Sequence, residues 1–357
     1  MAVLNEEQEM LRDMAREWTK KENPVGAFRK MRDGDFDGGF DPAVYGQMAE
    51  MGWTGVIIPE DQGGSDFGYM SLGLVLEETG RSLTASPLLA SALGAASALI
   101  LGGSDAQKEA WLPKIASGEA IGTLAIDEGP RHDPSKCDTS VSDGKLSGTK
   151  MFVPEGMSAG LFVVSAKDGV YLVEKGKGIS IAKRAMVDMR DHAEIDFNDA
   201  PAQKLAAGGD DLAQKILDRA RVLTAAEMLG MCQAVFDTTL DYLKQRVQFN
   251  QVLSSFQALQ HRMADLFTEL EMARSAVEGG LQAIDSGFAV SEAAALAKAR
   301  ANDALHLISR EGVQLHGGIG MTDEYDVGFF LKRARVLEAA WGSSSHLRDR
   351  YAAMKGY

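Results

Sequence analysis

The stretch from Arg221 to Leu270 constrains the fold of this chain more than any other part of the sequence. Apolar residues recur in it at three- and four-residue spacing in two segments, which a short connection, RVQFNQVLSSFQ, separates. Such spacing is typical of helices that bury one face. The connection places a guanidinium, carboxamides and two aromatic rings at one end of a predicted helical hairpin. That combination suits a bound phosphate and a flat ring.

The composition excludes several classes of partner. The chain has 357 residues, with 45% hydrophobic and 25% charged residues, which is the ordinary range for a globular protein of two or three domains. A net charge of −14 argues against a nucleic-acid partner. No apolar run reaches the roughly 18 to 20 residues of a membrane span, and the N-terminus lacks a signal-peptide core. We therefore expect a cytoplasmic protein without a membrane or nucleic-acid partner.

Cysteine and histidine spacing gives no sign of a disulfide framework or a metal site. Cys137 and Cys232 lie far apart without CxxC spacing, and the six histidines form no HExxH motif. We expect both cysteines to behave as small buried apolar residues.

The sequence pattern changes twice along the chain. Residues 1–117 show helical periodicity, and residues 118–207 contain short β-branched runs broken by Gly, Asp and Asn. Helical periodicity returns over residues 208–357, with helices predicted at 291–314 and 326–354. These ranges predict a helical domain, a β-sandwich or barrel domain and a second helical domain.

Three motifs in this order point to a family: PEDQGG, RVQFNQVLSSFQALQHRMADL and QLHGGIGMTDEYDVGFFLKRAR. Together with the intervening β block they resemble the acyl-CoA dehydrogenases over essentially the whole chain. The resemblance implies an α+β multidomain flavoprotein with an all-α N-terminal domain, a central β-barrel or sandwich and a C-terminal four-helix bundle. It also implies FAD bound across a subunit interface, an acyl-CoA substrate and electron-transfer flavoprotein as the electron acceptor.

The family's cradle for the FAD pyrophosphate and adenosine can be carried over by residue. The matching positions are Arg246, Gln248, Phe249, Phe256, Gln257, Gln314, Gly317 and Gly318. A planar guanidinium pairs with a pyrophosphate better than an ammonium does, and glycine lets backbone N–H groups approach phosphate oxygens. We expect His316, between these positions, to be a packed or capping residue and not an acid or base.

The positions that match the family's catalytic base depart from the family pattern. The family reaction is α,β-desaturation of an acyl-CoA thioester, in which a carboxylate removes the α-proton while a hydride leaves the β-carbon for the flavin. In most members that carboxylate is a glutamate before Gly-Thr or Gly-Ser, and here Trp341 stands before Gly342 and Ser343. A second subgroup carries its base on the first C-terminal helix, where Ala220 is the match. We therefore expect no catalytic base at either position.

Two turns that face the flavin in the family are also altered. The usual Thr-Glu-Pro is Asp127-Glu128-Gly129, and the usual aromatic-Ile-Thr-Asn is Phe152-Val153-Pro154-Glu155. Asp127 and Pro154 thus replace two threonines that would contact the flavin ring. Proline offers no N–H, and a carboxylate is unfavourable beside a reduced, anionic flavin.

Three hypotheses follow from an intact cradle combined with an altered catalytic half. The first is a subunit that resembles those of the heteromeric steroid and bile-acid side-chain acyl-CoA dehydrogenases: it lacks a base and offers its cradle to a homologous chain in a heterotetramer. The second is a self-sufficient homodimer or homotetramer with Glu338 or Glu227 as the base. The third is a family-derived binding protein without desaturase activity.

Overall fold

The computed structural model has the helical, β, helical order that the sequence predicts, and the fold class is confirmed. It describes residues 3–34, 36 and 38–357, except for the side chain of Leu93. The helices are α1 (Glu6–Lys21), α2 (Val25–Asp33), α3 (Pro42–Glu50), α4 (Gly68–Arg81), α5 (Leu88–Ala90), α6 (Ser97–Gly102), α7 (Asp105–Ala116), α8 (Leu212–Gln245), α9 (Gln257–Ser286), α10 (Val290–His316), α11 (Val327–Ala339) and α12 (Ser344–Met354). The strands are β1 (Gly122–Ala125), β2 (Ser140–Ser142), β3 (Lys145–Pro154), β4 (Leu161–Ala166), β5 (Gly169–Glu174), β6 (Ile179–Lys183), β7 (His192–Pro201), β8 (Gln203–Lys204), β9 (Val247–Gln248) and β10 (Gln251–Val252).

The chain divides into two compact units. The helical unit comprises Met1–Phe28, Gly73–Thr84 and Thr224–Tyr357, and the β-containing unit comprises Arg29–Leu72 and Ala85–Leu223. The domain boundaries at residues 117 and 207 stay a prediction. No helix in the described ranges is both long and apolar enough to span a membrane.

Two four-stranded sheets form the core of the β-containing unit. Their strand orders are β1-β4-β5-β8 and β2-β3-β7-β6, and β1 pairs with β4 in parallel while the other neighbours are antiparallel. Inward-facing side chains of both sheets share one buried cluster. In it, Phe162 and Phe197 meet edge to face with ring centroids 6.1 Å apart. Over the described residues the sheets stay open, so the sandwich alternative holds and the barrel does not.

The long helix α10 is the centre of the helical unit, where it packs against α9, α11 and α12. The part of α8 in this unit contacts α9 through the rings of Phe236 and Phe267, 5.9 Å apart. Arg274 of α9 also donates a hydrogen bond to the Gln233 carboxamide at 2.8 Å. These contacts confirm the helical hairpin predicted over 221–270 and fix its connection at one end of the bundle.

The single helix predicted over residues 326–354 is wrong, because the chain breaks between α11 and α12. Trp341 and Gly342 have φ of +59° and +119°, which a right-handed helix cannot accommodate. Ser343 then starts α12 as its N-cap, accepting a hydrogen bond from His346 N at 3.4 Å.

Candidate cofactor site

The connection between α8 and α9 folds into a tight hairpin. Strands β9 and β10 pair antiparallel around Phe249 and Asn250, which have φ of +54° and +60°. Positive φ at both central residues is typical of the two-residue turns that match strand twist, and Asn tolerates it well. Leu253 N closes the hairpin by donating to Arg246 O at 2.8 Å. Local turn chemistry therefore presents this loop as a defined, projecting structure.

The polar cradle side chains of the hairpin region face solvent and have no partner among the described residues. Arg246, Gln248 and Gln257 are exposed, and their side chains form no hydrogen bond or ion pair with any residue that the structure describes. Phe249 is 83% exposed, and its only described ring contact is an edge-on one with Phe256 at 6.1 Å. A cation and a large ring left open in this way are available to a ligand or a partner subunit.

The glycine-rich turn after α10 is open as well. Gly317 has φ +65° and ψ −140°, a conformation that only glycine adopts readily. A Cβ placed on Gly317 or on Gly318 would meet no atom within 4 Å, so the chain's own packing does not demand small residues there. Gln314, one turn earlier, is exposed, and its side chain has no partner in the described ranges.

Three aromatic rings in tilted contact, which form a three-ring cluster, connect this turn with the end of α8. The His316 ring centroid lies 4.4 Å from that of Tyr242 and 4.6 Å from that of Tyr325. His316 is buried, its Nδ1 donates to Gly312 O at 2.7 Å, and burial lowers its pKa. These contacts agree with a packed, neutral histidine.

The donor set fits the pyrophosphate and adenosine part of FAD. Arg246 supplies a fork with free N–H donors, the glutamines supply neutral donors and acceptors, and the glycine turn leaves its backbone open. The fit rests on this chemistry, and assignment of the eight cradle residues to FAD stays a prediction.

The two positions that the resemblance matches to the family's base carry no proton acceptor. Ala220 is completely buried, and Trp341 is 8% exposed. The turn at Trp341 is held from α10, where the buried Lys298 Nζ donates to Leu337 O at 2.9 Å and Asn302 Nδ2 donates to Gly342 O at 3.2 Å. The backbone turn is thus firmly anchored, although its side chain cannot accept a proton.

Both alternative carboxylates form ion pairs within the helical unit. Glu227 is buried and accepts two hydrogen bonds from Arg333, with Nε–Oε1 2.9 Å and Nη2–Oε2 3.1 Å. Glu338 Oε2 accepts from His306 Nδ1 at 3.1 Å and from Arg335 Nη1 at 2.8 Å. Its other oxygen, Oε1, is buried and has no hydrogen-bond partner among the described residues.

The altered turn at Asp127 belongs to a buried polar chain that sequence reasoning missed. His132 Nδ1 lies 3.0 Å from the Asp127 carboxylate, and His132 Nε2 lies 3.5 Å from Arg221 Nη2. Arg221 in turn donates to Asp218 at 2.8 Å, with both side chains 1% exposed. Asp127 therefore binds its own chain. No local motif marks His132, whose partners are up to 89 residues away.

Glu128, the unchanged member of the same turn, binds the fully buried Lys150. Its Oε1 accepts from Lys150 Nζ at 2.7 Å and from Thr139 Oγ1 at 2.6 Å. Burial alone would raise the pKa of Glu128, but the hydrogen bonds from Lys150, Thr139 and the Asp138 backbone lower it to about 2. This carboxylate is a structural anchor for β3.

Comparison with known protein families matches both ends of the chain. Residues 5–119 match the acyl-CoA dehydrogenase N-terminal domain, and residues 207–354 match the acyl-CoA dehydrogenase C-terminal domain. Acyl-CoA dehydrogenase IpdE2 of Mycolicibacterium smegmatis is 31% identical over 93% of this chain and 93% of its own length. Acryloyl-CoA reductase (NADH) of Anaerotignum propionicum is 30% identical over 96% of this chain and 92% of its own length.

Solved structures show the same similarity across the whole chain. The Tcur3481-Tcur3483 steroid ACAD G363A variant has a TM-score of 0.91 and 28% identity, covering 98% of each chain. The ChsE4-ChsE5 complex from Mycobacterium tuberculosis has a TM-score of 0.92 and 25% identity, covering 100% of this chain and 99% of that one. This chain belongs to the acyl-CoA dehydrogenase family of FAD-dependent oxidoreductases.

Proposed function

We propose that this chain is one subunit of a heteromeric acyl-CoA dehydrogenase, lacks its own catalytic base, and supplies the FAD pyrophosphate and adenosine cradle to a homologous partner. The observation that carries the proposal is a contrast within the helical unit. The Arg246 side chain has no partner among the residues that the structure describes and the glycine turn is open, whereas Trp341 occupies the position matched to the base.

In this proposal, the present chain binds the pyrophosphate end of FAD and the partner chain provides the catalytic base. When bound, FAD supplies the acceptor for the hydride that leaves the acyl β-carbon. The guanidinium of Arg246 binds the pyrophosphate, and the backbone at Gly317 and Gly318 approaches its oxygens without hindrance from a Cβ. The α-proton needs a positioned carboxylate, because an unassisted α-C–H is too weak an acid. In this proposal that carboxylate lies on the partner.

The substrate and the partners are proposed from relatives. The chain resembles a steroid ACAD variant and one chain of the ChsE4-ChsE5 complex, which supports a bulky, ring-bearing acyl-CoA and a heterotetramer. Another similar structure, 28% identical with a TM-score of 0.90, is described as the electron transferring flavoprotein of Acidaminococcus fermentans, which supports such a protein as electron acceptor. We also propose a cytoplasmic location.

The visible absorption spectrum tests the proposal directly. We expect the chain purified alone to be nearly colourless and to desaturate no acyl-CoA. Co-expressed with a family member encoded beside it, the chain should yield a yellow complex that turns over. Full turnover by the purified chain alone would rule the proposal out.

One observation favours the self-sufficient alternative, in which Glu338 is the base. Its buried Oε1 has no described partner, so this carboxylate has an unused acceptor one helical turn before Trp341. Glu338→Gln on an active preparation discriminates the two: turnover lost with flavin retained names Glu338 as the base, and unchanged turnover excludes it. Glu227→Gln tests the second candidate base in the same way; it also breaks the buried bidentate pair with Arg333, so the stability of that variant is measured beside its turnover and flavin content.

A further inference from the structure

The rings of Tyr242, His316 and Tyr325 at the end of α10 lie between the two halves of the proposed cradle, which are the α8–α9 hairpin and the glycine-rich turn. The His316 ring contacts both Tyr242 and Tyr325, whose own ring centroids lie 6.2 Å apart, and Tyr242 Oη donates to His316 O at 3.3 Å. The carbonyl of Tyr242 accepts from Arg246 N at 2.8 Å. A short chain of contacts therefore runs from the guanidinium-bearing end of α8, through the His316 ring, to Gly317.

The His316 ring has one satisfied nitrogen and one unsatisfied nitrogen. Since Nδ1 bonds a carbonyl, Nδ1 carries the proton and Nε2 is an acceptor. His316 is 3% exposed, and its Nε2 has no partner in the part of the chain that the structure describes. Buried acceptors without a partner are rare in proteins and occur where function or strain requires them.

We propose that His316 is a positioning residue for the cofactor cradle: its neutral ring, packed against both Tyr242 and Tyr325, fixes the Gly317 turn relative to Arg246. The inference rests on the proposed cradle function, and the ligand that it concerns is the pyrophosphate ester of a nucleoside. His316 itself does not touch the ligand. Its contribution is the geometry of groups that do.

The same three rings make the geometry of the proposed cradle depend on pH. The ring faces Tyr242 from α8, Tyr325 from the segment before α11 and the Gly312 carbonyl of its own helix, and no described carboxylate pairs with it. The nearest acidic neighbour in sequence, Asp326, follows Tyr325. A proton on Nε2 would create a buried cation, and burial already lowers the His316 pKa below its usual 6.5. The packed arrangement of the three rings, with His316 neutral, is therefore stable above about pH 6.5. It is destabilised as the pH falls and His316 takes up a proton.

Isothermal titration calorimetry of the purified full-length chain with ADP tests the positioning role of His316. ADP carries the adenosine and the pyrophosphate of FAD without the flavin. His316→Ala removes the ring, whereas His316→Phe keeps a ring and removes the titrating nitrogen. His306→Ala is the matched control on the same helix, since His306 is half-exposed and pairs with Glu338. Each protein is measured at about pH 7.5 and about pH 5.5, on either side of the ordinary histidine pKa.

We expect His316→Ala to weaken ADP binding at least about tenfold, and His316→Phe to bind nearly as wild type at the higher pH. ADP's own phosphate titrates in this range, so some loss at the lower pH is common to all proteins. Wild type should lose more affinity than His316→Phe. If His316→Ala does not fold, the difference in pH dependence between wild type and His316→Phe still tests the positioning role of His316.

Two outcomes separate this role from the proposed function. Wild-type binding that His316→Ala leaves intact, or equal pH dependence of wild type and His316→Phe, overturns the positioning role alone. Absence of ADP binding at millimolar concentration, both by the wild-type chain alone and by the co-expressed pair stripped of flavin, removes the cradle itself, and both proposals with it.

Discussion

Gly318 is a glycine that the conformation and packing of the chain do not require. It lacks the positive φ of Gly317, and a Cβ at this position would meet nothing within 4 Å. Neither backbone strain nor packing in this chain therefore requires glycine. Close approach of a phosphate to the backbone gives a reason that the chain alone does not.

Gly318→Ala should therefore separate stability from cofactor binding. We expect the unfolding free energy of the isolated chain to change by less than about 0.5 kcal/mol, and the flavin content of the co-expressed pair to fall. Urea unfolding and the absorbance of the purified pair measure the two quantities. Gly279→Ala on α9, where a Cβ also meets open space, should raise the unfolding free energy by about 0.5 to 1 kcal/mol, because alanine favours a helix interior, and should leave the flavin content unchanged. Full flavin occupancy in Gly318→Ala would contradict the assignment.

Arg246→Lys tests the fork at the other half of the cradle. Lysine keeps the charge but loses the paired N–H donors, so we expect the Kd of the co-expressed pair for FAD to rise about tenfold or more. Flavin-fluorescence titration of the stripped pair provides the measurement. Arg12→Lys on α1, beside Asp13, serves as the control. Equal Kd values for Arg246→Lys and wild type would show that Arg246 supplies only charge.

Among the elements, those with long, regular apolar spacing were predictable, and those set by distant contacts were not. The α8–α9 hairpin follows from periodicity because each helix exceeds 29 residues. The bounds of the short α2, inside the helical range predicted over 1–117, could not be predicted, since nine residues give few periods, although Phe28 and Met31 are buried. The break before α12 was missed because left-handed Trp341 has no local signature.

The candidate site divides in the same way. The cradle lies in contiguous motifs, so its residue types and spacing could be read from the sequence. The chain from Asp127 through His132 to Arg221 joins residues up to 94 positions apart, and only the folded structure brings them together. The same holds for Lys150, which is the partner of Glu128.

The ion pair between Glu128 and Lys150 of β3 makes the stability of the β sandwich depend on pH in the acid range. The pKa of Glu128 is lowered in the folded state to about 2, so its stabilising effect is present above the unfolded value of about 4.5 and is lost as the pH falls from there toward 2. Glu128→Gln should destabilise the chain at neutral pH by about 3 kcal/mol, because it leaves Lys150 buried without its carboxylate.

Urea unfolding at several pH values measures this effect, and the variant should show a flatter acid limb than wild type. Asp211→Asn, which removes the exposed partner of Lys215, should cost less than about 1 kcal/mol. A comparable cost for the two substitutions would contradict the anchoring role of Glu128.

For the whole molecule, the proposal fixes how many cofactors an assembly can hold. If only one of two unlike chains has a complete flavin-facing half, each pair should contain about one FAD per two chains, whereas a self-sufficient homo-oligomer should contain about one per chain. Absorbance after denaturation, combined with quantitative amino-acid analysis, measures this ratio. About one FAD per chain in an assembly of this chain alone would exclude the heteromeric proposal.

The hairpin tip has a consequence for the life of the subunit before assembly. Phe249 and Val247 of the hairpin are 83% and 55% exposed, and Met321, at the end of the glycine-rich turn, is 79% exposed. An apolar surface of this kind favours self-association and recognition by chaperones and proteases until something covers it. We therefore expect unassembled copies to be short-lived in the cell, so that degradation of the surplus keeps the two kinds of chain in balance.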